Sequence, residues 1–384
     1  MSGLGERLRS VRKRRGVTQR ELARLSGVSL SLVRKLEQGE REDTRLETLR
    51  RLAAALQVPT AALIVRKADA GERSARWGAL RAALDGTPAS GPDDEPSARE
   101  VGATLRALMP LFSGDRYAEL ADLLPPLLRS ADELGQDGHR VRARLLHHTG
   151  WLLTQTRQFD AAETALSRAL EESDDPLDRA AIINTRCWLL MRQGDLGGAT
   201  ALATRWADEV EPRMSRATAA DLSAWGWLLV RLSTAAIRNN QPGDAEDAIR
   251  LARTAAVAMG GEFAPPGDFL RAFGPMTVAM KAAENAMVEN RPDRVLSIAE
   301  RVPLGDLRPT SNNRNRHLLD VAKARVLLRQ YPQAIDLLMG IRRDAPEWIT
   351  NQRYARDILS EIIAKRRTLT TDMRDLADYL DLSP

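Results

Sequence analysis

Apolar positions along this chain recur at helical spacing. Leu4, Leu8 and Val11 predict a first amphipathic helix from Leu4 to Arg15, ringed by Arg7, Arg9, Arg12, Lys13, Arg14 and Arg15. Thr18 followed by Glu21 reads as a Thr-x-x-Glu capping box, Leu22, Ala23 and Leu25 give the next helix an apolar side, and Gly27 stops it. Val28 plugs the space between two helices. Ser29 caps the third, which turns Leu32, Val33 and Leu36 inward, leaves Leu30, Ser31, Arg34 and Lys35 outward, and ends at Gly39. Thr44 and Glu47 form a second capping box that opens a helix through Gln57, with Leu46, Leu49, Leu52, Ala53 and Leu56 inward. Pro59 and Thr60 start a fifth short helix ending near Val65.

The pattern then changes. Residues 68–97 read as a linker: one helix over Arg73–Leu84 carries Trp77, Leu80 and Leu84, and residues 86–97 are dense in Pro, Gly, Ser and Asp. From residue 98 a loose repeat sets in, each unit an apolar helix, a short polar turn and a second helix with a small or apolar anchor. The anchors are Leu120, Ala162, Ala199, Ala245, Val295 and Ala334, spaced by 42, 37, 46, 50 and 39 residues. Residues 348–380 look like a terminal cap on a body running over 98–384.

Charge sharpens this division. Residues 1–67 hold 16 Lys and Arg against 7 Asp and Glu, a net +9, whereas the whole chain carries only +5. A basic excess confined to one small domain suits nucleic-acid binding. No run of apolar residues is long enough to cross a membrane, no signal peptide is apparent, and the lone Cys187 excludes an intramolecular disulfide. The expectation is a cytoplasmic, nucleoid-associated protein without membrane partners. Cys187 reads as a small buried apolar residue.

Residues 4–67 resemble the Xre/Cro-type helix-turn-helix domain along their length, on Gln19, the Glu21-Leu22-Ala23 run, Gly27, Glu37, Gly39 and the Leu52–Val58 segment. The anchored turns resemble the tetratricopeptide repeat, most closely around Gly150, Phe159, Ala162 and Ala169. The fold expected is all-α: a five-helix, lambda-repressor-like DNA-binding domain over 1–67 followed by a helical-repeat solenoid. The Arg-heavy, Ala-rich composition resembles that of high-GC bacteria such as actinomycetes. The resemblance implies that Leu30, Ser31, Arg34 and Lys35 meet base edges in the major groove, and that Gln19, Ser29 and Arg41 hold phosphates. It also implies a homodimer on an inverted-repeat operator of double-stranded DNA. Leu30 departs from the family, which often carries Gln or Arg early in the reading helix.

Some regulators of this architecture are receptors for signalling peptides. Projecting the repeat frame turns Arg144, His147, Trp151, Asn184, Trp188, Trp227, Thr277, Glu284 and Arg316 toward a groove, with Asn312 and Asn313 in an unusual polar run. Aromatic rings beside Asn and Arg suit a peptide or small-molecule effector. A body that instead docks a partner protein is the alternative reading. No cofactor or metal site is expected and no enzyme: the chain has no phosphate loop, nucleophile elbow or His-Glu-x-x-His, and adjacent His147 and His148 diverge by about 100° on a helix.

Overall fold

The computed structural model describes residues 4–40, 44, 46–58, 63, 77–86, 96–265, 268–302, 311–366 and 368–382. They form 20 α-helices and no named strand; an isolated antiparallel bridge joins Phe263 to Phe273. The chain divides into two compact units, residues 1–74 with 352–384, and residues 75–351.

The first unit opens with α1 (Leu4–Arg14), α2 (Gln19–Ser26), α3 (Leu30–Glu37) and α4 (Leu46–Ala55). Leu8, Leu22, Val33, Leu36, Leu52 and Leu56 are sealed in its core with Leu63. Burial of each such side chain contributes about 1.5–3 kcal/mol. The capping box is formed: the Glu21 amide donates to the Thr18 hydroxyl at 3.2 Å and the Thr18 amide to the Glu21 carboxylate at 2.8 Å. Gly27 closes α2 at φ 63°, and Arg51 from α4 donates to the Ser26 and Gly27 carbonyls at 3.0 and 2.6 Å, fastening the turn. Leu25 differs from expectation, standing 53% exposed. Ala23 and Ser26 take the core-facing side of the helix with Leu22, and Leu25 projects to the opposite flank. Leu46 and Leu49 lie on α4, but their side chains and that of Glu47, on which the second capping box rests, are outside the described residues, as is the expected fifth helix apart from Leu63.

The expected terminal cap divides. Its last helices, α19 (Arg353–Lys365) and α20 (Thr371–Tyr379), group with residues 1–74 rather than with the body. Asp378 accepts from Arg14 at 3.2 Å and from Arg15 at 2.8 Å, joining α20 to the C-terminal end of α1.

The second unit starts with α5 (Gly78–Leu84). This helix of the expected linker packs on the body: Arg168 donates to the Leu84 carbonyl at 2.7 Å, and Leu80 is fully buried. Six helix pairs follow: α6 (Ala98–Ser113) with α7 (Tyr117–Asp132), α8 (His139–Gln155) with α9 (Phe159–Glu171), and α10 (Pro176–Gln193) with α11 (Leu196–Glu209). Then come α12 (Ala219–Arg238) with α13 (Pro242–Met259), α14 (Pro275–Val288) with α15 (Pro292–Ala299), α16 (Ser311–Leu327) with α17 (Tyr331–Asp344), and the short α18 (Pro346–Thr350). All six predicted anchors lie on second helices and are buried. Each intra-pair turn contains one left-handed residue: Asp115, Arg157, Gly194, Asn240, Asn290 and Arg329. At Gly150 a Cβ would lie 2.7 Å from Leu166, so α8 and α9 approach closer than any larger residue permits.

The first helices pack side by side in one layer, α8 on α10, then α12, α14 and α16. The layer returns on itself. Gln155 at the end of α8 donates to the Asn312 side chain on α16, and Asn312 donates to Asp115 at 2.9 Å. Glu347 of α18 accepts from the Ala118 amide at 2.8 Å.

Candidate functional site

Two sets of residues carry the candidate chemistry. The first is on α3. Ser31, Arg34 and Lys35 are exposed and related by i, i+3 and i+4 spacing, which places them on one stripe of the helix. Leu30 sits at the edge of that stripe, half-buried against the head core. Ser29 caps the helix, its hydroxyl accepting from the Leu32 amide at 3.2 Å. Arg41 lies outside the described residues.

Gln19 does not stand free. Its Nε2 donates to Glu37 at 2.8 Å, and Glu37 in turn holds Arg12 through two bonds, Nε at 2.6 Å and Nη2 at 2.8 Å. Arg12 also donates to the Val17 carbonyl at 2.9 Å. One buried carboxylate thus fixes α1, α2 and α3 together and sets the angle at which the α3 stripe is presented.

The second set is in the body, on its layer of first helices, and several of the predicted groove residues are buried there. Buried His147 shares a 2.8 Å hydrogen bond with Thr185. Burial, then neighbouring His148, pushes its pKa down to about 3, so the ring is neutral at ordinary pH. Trp151 packs edge-on against Phe269 at 5.0 Å and beside Phe112 at 6.2 Å, in an aromatic cluster. Arg144 starts the same stretch, its carbonyl accepting from or facing His148 Nδ1 at 2.9 Å. Thr277 is buried with its hydroxyl 3.4 Å from Glu262. Asn312 is engaged by Gln155 and Asp115, and Asn313 is half-buried next to it.

The remainder meet charged or polar partners in the same layer. Asn184 on α10 accepts from Arg231 Nε on α12 at 3.1 Å, and the Arg231 guanidinium lies 5.8 Å from the Trp227 ring. Trp227 donates to the Ala272 carbonyl at 2.8 Å. Trp188 carries the Arg192 guanidinium 5.5 Å above its ring. Glu284 takes Arg238 at 2.6 Å, Lys281 at 2.9 Å and Arg316 at 3.7 Å, and Arg316 also meets Asp320 at 3.4 Å. Despite burial, those three cations hold the Glu284 carboxyl well below the usual carboxylate range. Burial pushes Asp320 up to about 6.

Sequence reasoning missed Arg192, Arg231, Arg238, Lys281, His317 and Asp320. A signal existed: Arg231 interrupts the apolar run Trp225–Ser233 and Lys281 stands alone among apolar neighbours in α14. A lone charge inside an otherwise apolar helix requires a polar interior to face. Cys187 is buried beside them, its thiol pushed up to about 12, which leaves it unreactive. Among the described residues no three His, Cys, Asp or Glu side chains gather as metal ligands, and no helix is long and apolar enough to cross a membrane.

Comparison with known proteins bears on the head. The helix-turn-helix family matches residues 8–63. The HTH-type transcriptional regulator RghRB of Bacillus subtilis is 41% identical over 59 residues, 15% of this chain, and the chain spans only 42% of that relative's length. The transcriptional regulator ClgR of Mycobacterium tuberculosis is 34% identical over 104 residues, 27% of this chain and 80% of that protein. The crystal structure of Bacillus thuringiensis PlcR in complex with the peptide PapR7 and DNA aligns over 88% of this chain and 99% of its own, at 12% identity and a TM-score of 0.39.

Proposed function

The chain belongs to the Xre-type helix-turn-helix transcriptional regulators, and from that premise we propose that it binds DNA sequence-specifically and couples that binding to an effector held by its helical body. The single observation that carries the reading is the exposed Ser31–Arg34–Lys35 stripe on a head of net charge +9. The major groove admits a helix, and Arg or Lys donates to guanine N7 and O6 there, while Ser serves several bases. One such stripe reads few base pairs, so two copies on an inverted repeat, half-sites about 34 Å apart, supply useful affinity. The body's polar interior supports the sensing half of the proposal. An effector that binds one arrangement of the two bodies better shifts the spacing of the heads, and a coupling of about 1–3 kcal/mol makes a working switch.

Fluorescence anisotropy of the full chain on DNA from upstream of its own gene, over a salt series, tests the DNA half. Tight binding that weakens steeply with salt and is lost on replacing Arg34 and Lys35 together is the expected result. Binding indifferent to both residues would remove α3 as the reading element. For the body, a stoichiometric protein recovered in a pull-down with no effect of small molecules on operator affinity would favour a docking scaffold over a sensor.

A further inference from the structure

One cation in the layer of first helices has no carboxylate partner among the described residues. Arg231, Arg238 and Lys281 lie together on α12 and α14 around Glu284, which pairs with Arg238, Lys281 and Arg316 of α16. Glu284 is already shared among three cations. Arg231 is left over. Its Nε reaches the neutral Asn184 amide, it makes no ion pair among the described residues, and no side chain or carbonyl there accepts from its Nη1 and Nη2. The group is half-buried, so this fork still opens to solvent.

His317, one helix away on α16, gives an independent sign. It is 1% exposed, and neither ring nitrogen has a hydrogen-bond partner. A buried imidazole without a partner forfeits the hydrogen bonds it would make in water. The ring lies near Lys281 and Glu284. An unfilled guanidinium fork on α12 and an unpartnered imidazole on α16 flank the Lys281–Glu284 pair, and an oxyanion complements the fork and the cations beside it.

We infer that the interior of the body holds a site for a small organic oxyanion, a carboxylate or phosphate group, seated on the Nη1/Nη2 fork of Arg231 beside the Lys281–Glu284 pair. A planar guanidinium fork matches either oxyanion through two parallel bonds. Asn184 fixes the fork from behind through Nε, and Trp227 supplies an apolar wall beneath it. The inference rests on the reading of the body as a sensor and names the chemistry of what it senses.

Thermal melts and tryptophan fluorescence of the full chain, titrated with inorganic phosphate and with benzoate at constant ionic strength set by chloride, test it. The expected result is a saturable rise in melting temperature with at least one probe, weakened about tenfold or more in Arg231→Met. Which probe acts separates the phosphate from the carboxylate source. Arg231→Met without ligand should melt at or above the parent, since it removes a recessed charge that lacks a counter-ion; Lys281→Gln provides a second reading should the first variant misfold. Absence of a saturable shift with both probes, or a shift unchanged in the variants, overturns the site. Operator anisotropy with the active probe keeps the two ideas apart. A site that binds its anion without altering DNA affinity stands, while the sensing proposal falls.

Discussion

Glu37 on α3 receives Arg12 of α1 in a bidentate ion pair, 2.6 and 2.8 Å, with both side chains nearly sealed from solvent. Truncating either partner strands the other charge in the core of the head. Such losses cost about 3–5 kcal/mol, far more than an exposed pair would. Arg12→Met or Glu37→Gln should therefore unfold the head at markedly lower denaturant, read by circular dichroism of the full chain. A loss under about 1 kcal/mol, in the range of an exposed pair, would show that the pair is solvated.

The reading stripe makes a sharper statement about selectivity. Arg34→Ala or Lys35→Ala should cost about 1–3 kcal/mol on the preferred operator and relax discrimination at the matching base pair. Gln19, proposed to hold a phosphate and bonded to Glu37 at 2.8 Å, reads no base, so Gln19→Ala should weaken all sequences alike. Competition anisotropy against single-base operator variants separates the two. Lys35→Ala with undiminished selectivity would retire that assignment.

Turn geometry predicts a pair of opposite signs. Gly194 and Arg329 occupy equivalent turns at φ 94° and 60°. Left-handed backbone costs an ordinary L-residue about 1–2 kcal/mol. Gly194→Ala should lose about that much although nothing lies within 4 Å of the added Cβ, and Arg329→Gly should gain up to about 1 kcal/mol. Urea melts of both variants decide it; equal signs would mean the turns relax.

Stability should fall on acidification from about pH 7 to pH 6. His147 has a folded pKa of about 3 and His317 of about 4, against an ordinary 6.5, in both cases chiefly through burial. The unfolded chain therefore takes up protons that the folded chain refuses, so their stabilisation is full above 6.5 and drains as pH falls through it. Each proton contributes up to about 1.4 kcal/mol per pH unit. Asp320, raised to about 6, opposes this lower down, because its folded form holds a proton the unfolded form has released. His147→Gln should flatten the pH dependence of the melting temperature between 7.5 and 6; an unchanged slope would assign the effect elsewhere.

Much of this was legible in the residues themselves. Caps, the glycine stop and the alternation of inward and outward positions are local, so helix α3, its exposed Ser31, Arg34 and Lys35, and all six buried repeat anchors could be placed from spacing alone. What stayed hidden is non-local. Arg231 and Lys281 are 50 residues apart, and their proximity follows from helices stacking in a layer, which no periodicity encodes. His147 and Trp151 satisfied the same frame yet serve packing, because a repeat frame fixes which helix a residue is on better than what lies opposite it. Residues 352–384 group with the head, where Asp378 pairs with Arg14 and Arg15, and one surface Asp looks like any other in sequence.

That last contact has a consequence for synthesis. Arg15 and Asp378 are 363 residues apart, so a ribosome making about 5–20 residues per second separates their appearance by tens of seconds. The helix that carries Arg34 and Lys35 emerges early, while α20, which pairs with Arg14 and Arg15, is the last helix of the described residues to be made. A nascent product thus bears the Ser31–Arg34–Lys35 stripe without the Asp378 clasp until α20 has been made.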